Sequence, residues 1–150
     1  MANIKIKPHH FMDIIKLYGS GLEHFVPDTI MGHNFYKIGN EVLDNHEVLL
    51  QLTIDADDIC TPCKMCHNHI CIDTVSIFGY EWKNIYNQTL DKRVIKEICL
   101  DIHKEYTAKE LCQLMLASHN CIYQIWLEED DTVTKKRHDL FVLGAKKFLK

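Results

Sequence analysis

Proline and glycine are scarce in this chain, three and six among 150 residues. That leaves no Pro-rich or Gly-rich linker, and no repeat or low-complexity tract divides the sequence. Residues 1–150 are therefore expected to form one domain. Excess positive charge is also missing. The net charge of −4 argues against duplex DNA or RNA as a partner, because neutralising phosphates needs a basic field. The short basic run "TKKRH" at 134–138 reads as a solvated helix face. No apolar run approaches the roughly 20 residues that a bilayer span requires. The opening "MANIKIKPHH" lacks the apolar stretch of a secretion signal. These absences predict a cytosolic protein with no membrane contact. A chain of 150 residues buries roughly 70% of its unfolded surface, so it needs no cross-link merely to fold.

Thiols are what the chain has in plenty. Of seven cysteines, four lie in "DDICTPCKMCHNHICID", residues 57–73, together with His67 and His69. Cytosolic thiols stay reduced, and clustered ones more often bind metal than each other. Seven is odd, so complete intramolecular pairing is impossible.

Periodicity supplies the frame. "NIKIKP" alternates, with Ile4 and Ile6 on one side, and reads as a short strand stopped by Pro8. Phe11, Ile14, Ile15 and Tyr18 follow at helical spacing and end at Gly19 and Gly21. A second helix is expected from near Pro27, with Met31, Phe35, Ile38 and Val42 on one face. Val48, Leu50, Leu52 and Ile54 alternate as a second strand. The remainder reads as helical. Asp91 is placed to cap a helix carrying Ile95, Ile98, Cys99 and Ile102. Thr107 and Glu110 make a capping box, with Tyr106 and Leu111 as the staple beside it. A last helix from about Thr132 puts Val133, Leu140, Phe141, Gly144 and Phe148 on one face. The expected fold is α+β and mainly helical, a single domain with a small two-stranded sheet. The long connection between the strands is a crossover, which permits parallel pairing. Parallel strands would end on one edge and bring His9 and His10 to the cysteine segment.

Cys60, Cys63 and Cys66 form C-x2-C-x2-C, and Cys71 follows four residues on. Such spacing lets sulfurs converge on one centre. Clustered thiolates suit tetrahedral Zn²⁺, with Zn–S about 2.3 Å, and equally suit an iron–sulfur cluster. The metal-binding loop is expected at about 57–73, with Cys60, Cys63 and Cys71 as ligands. The fourth position is open to Cys66, or to His9 or His10 if the strand ends converge. Asp13 is expected to orient an imidazole from behind. Asp57 and Asp58 read as caps of the turn into Ile59. His33 reads as a polar residue off the apolar face of its helix, and His67 and His69 as surface loop residues. Cys99, Cys112 and Cys121 are expected to be small buried hydrophobes.

"IKIKPHHFMD" followed by "DADDICTPC" resembles domain of unknown function family 1284, whose members are described as iron–sulfur-binding. The resemblance covers roughly the first half of the chain. It rests on His9, His10, Asp57, Asp58, Cys60, Cys63 and Cys71. Family members also carry a cysteine three residues after the histidine pair, where this chain has Asp13. The resemblance implies a metal site without implying an activity. The expected function is a small metal-binding protein with a redox, sensing or structural role. Two alternatives are a metal-dependent enzyme with an open coordination position, assisted by Asp13, Asp57 or His33, and a partner-binding module braced by a structural metal.

Overall fold

The structure, a computed structural model, describes residues 3–150. The first strand, β1 (Ile4–Ile6), buries both isoleucines and runs into helix α1 (Pro8–Gly19). Pro8 occupies the first helical turn, where its missing N–H costs nothing. Helix α2 (Phe35–Asp44) and strand β2 (Leu49–Leu52) complete the crossover. β1 and β2 pair in parallel, Ile4 opposite Leu50 and Ile6 opposite Leu52.

The sheet is larger than two strands. β3 (Cys66–His67) and β4 (Ile70–Cys71) form one small hairpin, and β5 (Thr74–Ile77) and β6 (Tyr80–Trp82) another. Helix α3 (Lys83–Ile98) leads to β7 (Glu105–Thr107), which pairs antiparallel with β2. The main sheet is therefore mixed, in the order β1-β2-β7. The chain closes with α4 (Ala108–Ala117), α5 (Ile122–Ile125) and α6 (Asp131–Phe148). About half the molecule is helical, less than the periodicity suggested. β5, β6 and β7 took residues that had read as helix, because strands of three or four residues offer too few alternations to show a period.

Three local expectations shift. Residues 27–34 form a turn instead of helix. The Asp28 carboxylate accepts the N–H groups of Ile30 and Met31, and Gly32 turns with φ +73°, so α2 starts only at Phe35. Asp91 lies buried inside α3, eight residues from its start, and caps nothing in its own helix. That helix ends at Ile98, so Cys99 and Ile102 lie beyond it. Val133 is half exposed on α6, whose buried face is Thr134, Phe141, Gly144, Ala145 and Phe148.

The capping box of α4 forms as expected: Thr107 Oγ1 accepts from the Glu110 N–H at 3.0 Å. α1 and α6 cross in close contact at two glycines. A Cβ on Gly19 would strike the Leu140 carbonyl, and one on Gly144 would strike that of Ile15. The core joins Ile6, Phe11, Ile14 and Ile15 to Leu50, Leu111, Met115, Phe141 and Phe148. No described helix is long and apolar enough to cross a membrane.

Candidate metal centre

The site grows from the N-terminus of α1. The first N–H groups of a helix have no internal partner and attract negative charge. Here the protein supplies that charge itself. Asp57 Oδ2 accepts the Lys7 N–H at 2.8 Å, and Asp91 Oδ1 accepts the His9 N–H at 2.9 Å. Each carboxylate also takes a histidine. His10 Nδ1 lies 2.7 Å from Asp57 Oδ2, and His9 Nδ1 lies 2.8 Å from Asp91 Oδ1. An ionised carboxylate only accepts, so both imidazoles donate through Nδ1 and keep Nε2 for another partner. The remaining Asp57 oxygen accepts the N–H groups of Ile59 and Cys60. Asp57 thus joins the end of β1, the start of α1 and the first turn of the cysteine segment while completely buried. Asp58 plays an outer version of this role, accepting the Lys5 N–H at 2.8 Å.

The segment then advances by turns of three residues. Cys63 N–H donates to the Cys60 carbonyl at 2.8 Å, and Cys66 N–H to the Cys63 carbonyl at 2.9 Å. Cys66 then faces Cys71 directly across the β3–β4 hairpin. Opposed residues of an antiparallel pair share a face. The hairpin closes through Asn68 and His69, with φ +52° and +65°, the two left-handed residues of a two-residue loop. The outcome is a cleft of about 430 Å³ whose walls include Cys60, Cys63, Cys66 and Cys71. His10, Asp13 and His33 line the same cleft.

One ligand atom each from His10, Asp57 and Cys60 lies within 4.8 Å of the others. Among the described residues, no three cysteine sulfurs draw together that closely. All seven cysteines are free thiols. Lys7, almost wholly buried, places Nζ 3.8 Å from Cys60 Sγ. Burial, reinforced by the Asp57 charge, pushes the Cys60 thiol up to about 12 against the pull of Lys7. Such a thiol is no ready nucleophile, although a bound cation would reverse this balance. Burial alone would raise Asp57, but the His10 charge, its hydrogen bond and the Lys7 N–H hold it well below the ordinary carboxylate range. Burial likewise opposes protonation of His9, yet Asp91 leaves it raised above 6.5.

No family model, curated protein or solved structure matches this chain.

Several residues stand where the sequence did not put them. Asp13 does not hold an imidazole; its carboxylate pairs with Arg137 at 2.9 Å, and Asp57 and Asp91 do the holding. His9 is turned to Asp91 and does not line the cysteine cleft, whereas His10 does. His33 sits before α2; its Nδ1 accepts the Phe35 N–H at 3.3 Å, and Nε2 lies 3.3 Å from Asp28. His67 and His69 are exposed, as expected. Cys112 and Cys121 are buried, but Cys99 is exposed at the left-handed end of α3. Lys7 and Asp91 were missed. Lys7 follows an alternating strand with nothing in its neighbours to mark it as buried, and Asp91 imitates a helix cap.

Proposed function

We propose that this chain is a metal-binding protein whose cleft holds an iron–sulfur centre on the thiolates of Cys60, Cys63, Cys66 and Cys71. The observation that carries the reading is the meeting of all four cysteines on the walls of one cleft. Clustered cysteine thiolates are the ligands that iron–sulfur centres use, and four of them on one cleft match the number that such a centre takes. The buried Lys7 ammonium offsets the negative charge that several thiolates bring, and an N–H···S contact of this kind tunes such centres. The likeness of His9, His10, Asp57, Asp58, Cys60, Cys63 and Cys71 to family 1284 supports the same reading.

A second reading has its own observation. His10, Asp57 and Cys60 approach within 4.8 Å, which suits one ion. Asp57 already accepts four hydrogen bonds, so it would serve behind His10 and leave His10 and Cys60 as ligands. Such an ion would keep open positions beside Asp13 and His33, as a metal-dependent hydrolase requires.

Anaerobic purification followed by an absorption spectrum, metal analysis and assay of acid-labile sulfide decides between them. Iron with sulfide and broad visible absorption, lost in Cys60→Ser and Cys71→Ser, is the expected result. Zinc without colour, lost in His10→Ala but retained in Cys71→Ser, selects the single ion. A protein that takes up neither iron and sulfide nor zinc overturns both.

A further inference from the structure

Cys66 and Cys71 stand opposite one another in the β3–β4 hairpin. Opposed residues of an antiparallel pair come in two kinds, told apart by their hydrogen bonds. Ile72 N–H donates to the Met65 carbonyl at 2.8 Å, one step outside the cysteines. Cys66 N–H turns away, to the Cys63 carbonyl at 2.9 Å. The cysteines are therefore a non-hydrogen-bonded pair. In that closer kind the Cα atoms lie about 4.5 Å apart and the side chains project to one side. A disulfide spans Cα separations of roughly 4.4–6.8 Å, so the backbone already suits the bond. Asn68 and His69, both left-handed, fix the register of the two-residue loop, and a slip by one residue would send the two thiols to opposite faces. Both thiols are free and only part-buried, so a small reagent reaches them. The other two thiols of the cleft are placed differently. Cys60 lies deeper, beside Lys7, its thiol pushed up to about 12 by burial. Cys63 lies outside the hairpin ladder.

We propose that Cys66 and Cys71 form a reversible redox site, closing into a disulfide across the hairpin by exchange with a small-molecule disulfide such as glutathione disulfide. One cysteine thiolate attacks a sulfur of the reagent. The reagent's S–S bond breaks, one thiolate leaves, and a mixed disulfide remains on the protein. The second cysteine thiolate attacks the mixed disulfide at the protein sulfur, which forms the Sγ–Sγ bond and releases the other reagent thiolate. The protein gives up two electrons and the reagent takes them, and the two cysteine protons end on the two released thiols. A Cα separation at the short end of the range strains the bond, and strained or exposed disulfides are the readily reduced ones, so excess thiol reopens it. Closure also removes two of the four thiolates that line the cleft. It would therefore control metal loading. That consequence rests on the reading of Cys66 and Cys71 as ligands, whereas the exchange itself does not.

The test takes the purified full chain, reduced and stripped of metal with a chelator, and treats it with glutathione disulfide. Burial raises the Cys66 thiol, so the exchange is run at about pH 8, where more thiolate forms. Remaining thiols are alkylated, and tryptic peptides are weighed. Cys66 and Cys71 fall on one peptide, Met65–Lys83, while Cys60 and Cys63 fall on the preceding one, which ends at Lys64. Met65–Lys83 is expected to escape alkylation and to weigh two hydrogens less than its dithiol form, with both alkylations restored by dithiothreitol. The same result is expected in Cys63→Ser. A Met65–Lys83 peptide that stays fully alkylated overturns the proposal. So does Cys66 or Cys71 joined to Cys63, or left as a glutathione adduct. A second arm offers cobalt(II), which needs no reductant, to the desalted disulfide and dithiol forms. Thiolate-to-cobalt absorption in the dithiol form, lost in the disulfide form, is expected. Equal absorption in both overturns control of metal loading. Its absence from both, with the disulfide formed, overturns the thiolate-ligand reading and leaves the redox site standing.

Discussion

His10 Nδ1 and Asp57 Oδ2 stand 2.7 Å apart at the edge where two parallel strands end, and the carboxylate is completely buried. Asp57 also accepts three backbone N–H groups, from Lys7, Ile59 and Cys60. Asp57→Asn puts an NH2 group against donors and removes the charge. It is expected to cost about 3 kcal/mol of stability, the scale for breaking a buried pair. Asp58→Asn, with one accepted N–H in a more open position, is expected to cost about 1 kcal/mol or less. Urea unfolding of the two variants beside the wild type checks the contrast.

The pH dependence follows from the same carboxylate. Asp57 titrates below its ordinary 3.8 in the folded chain, so its contribution is complete above 3.8 and is lost as pH falls below that toward the folded value. His9 is raised above 6.5, so its contribution is complete below 6.5 and fades as pH rises through the folded value. Melting temperature against pH is expected to fall on both sides. Asp57→Asn should flatten the acid limb and His9→Gln the limb above 6.5. An acid limb unchanged in Asp57→Asn would remove this carboxylate from the account.

The α1–α6 crossing predicts a loss where helix propensity predicts a gain. Gly→Ala inside a helix ordinarily favours the helix by about 1 kcal/mol. At Gly144 the new methyl would meet the Ile15 carbonyl, which is backbone and cannot swing aside. Gly144→Ala is therefore expected to destabilise by about 2 kcal/mol or more, as overpacked sites do. Thermal melting gives the sign directly.

Cys99 separates the seventh thiol from the metal. It ends α3 with φ +58°, a conformation that glycine adopts freely. Cys99→Gly is expected to raise stability by about 0.5–1 kcal/mol and to leave metal content unchanged. Loss of metal in this variant would place a ligand far from the cleft.

What was legible in the sequence depends on near neighbours or on the length of a connection. Cys60, Cys63 and Cys66 recur every third residue, successive turns link them, and all three line one cleft. Thr107 and Glu110 close their capping box within a single turn. The long connection between Ile6 and Leu49 forbade a hairpin, and the strands did pair in parallel. That pairing sets His10 beside the cysteine segment.

What the sequence alone determined is the cysteine-rich segment, the crossover and the ends of several helices, all set by spacing along the chain and by backbone hydrogen bonds between near residues. Tertiary structure alone decided which groups hold which. Asp91 reaches His9 across 82 residues, Arg137 reaches Asp13 across 124, and Lys7 turns inward to Cys60. No periodicity records such partners, because a buried charge takes its place from the opposite charge and the free N–H groups that folding brings to it.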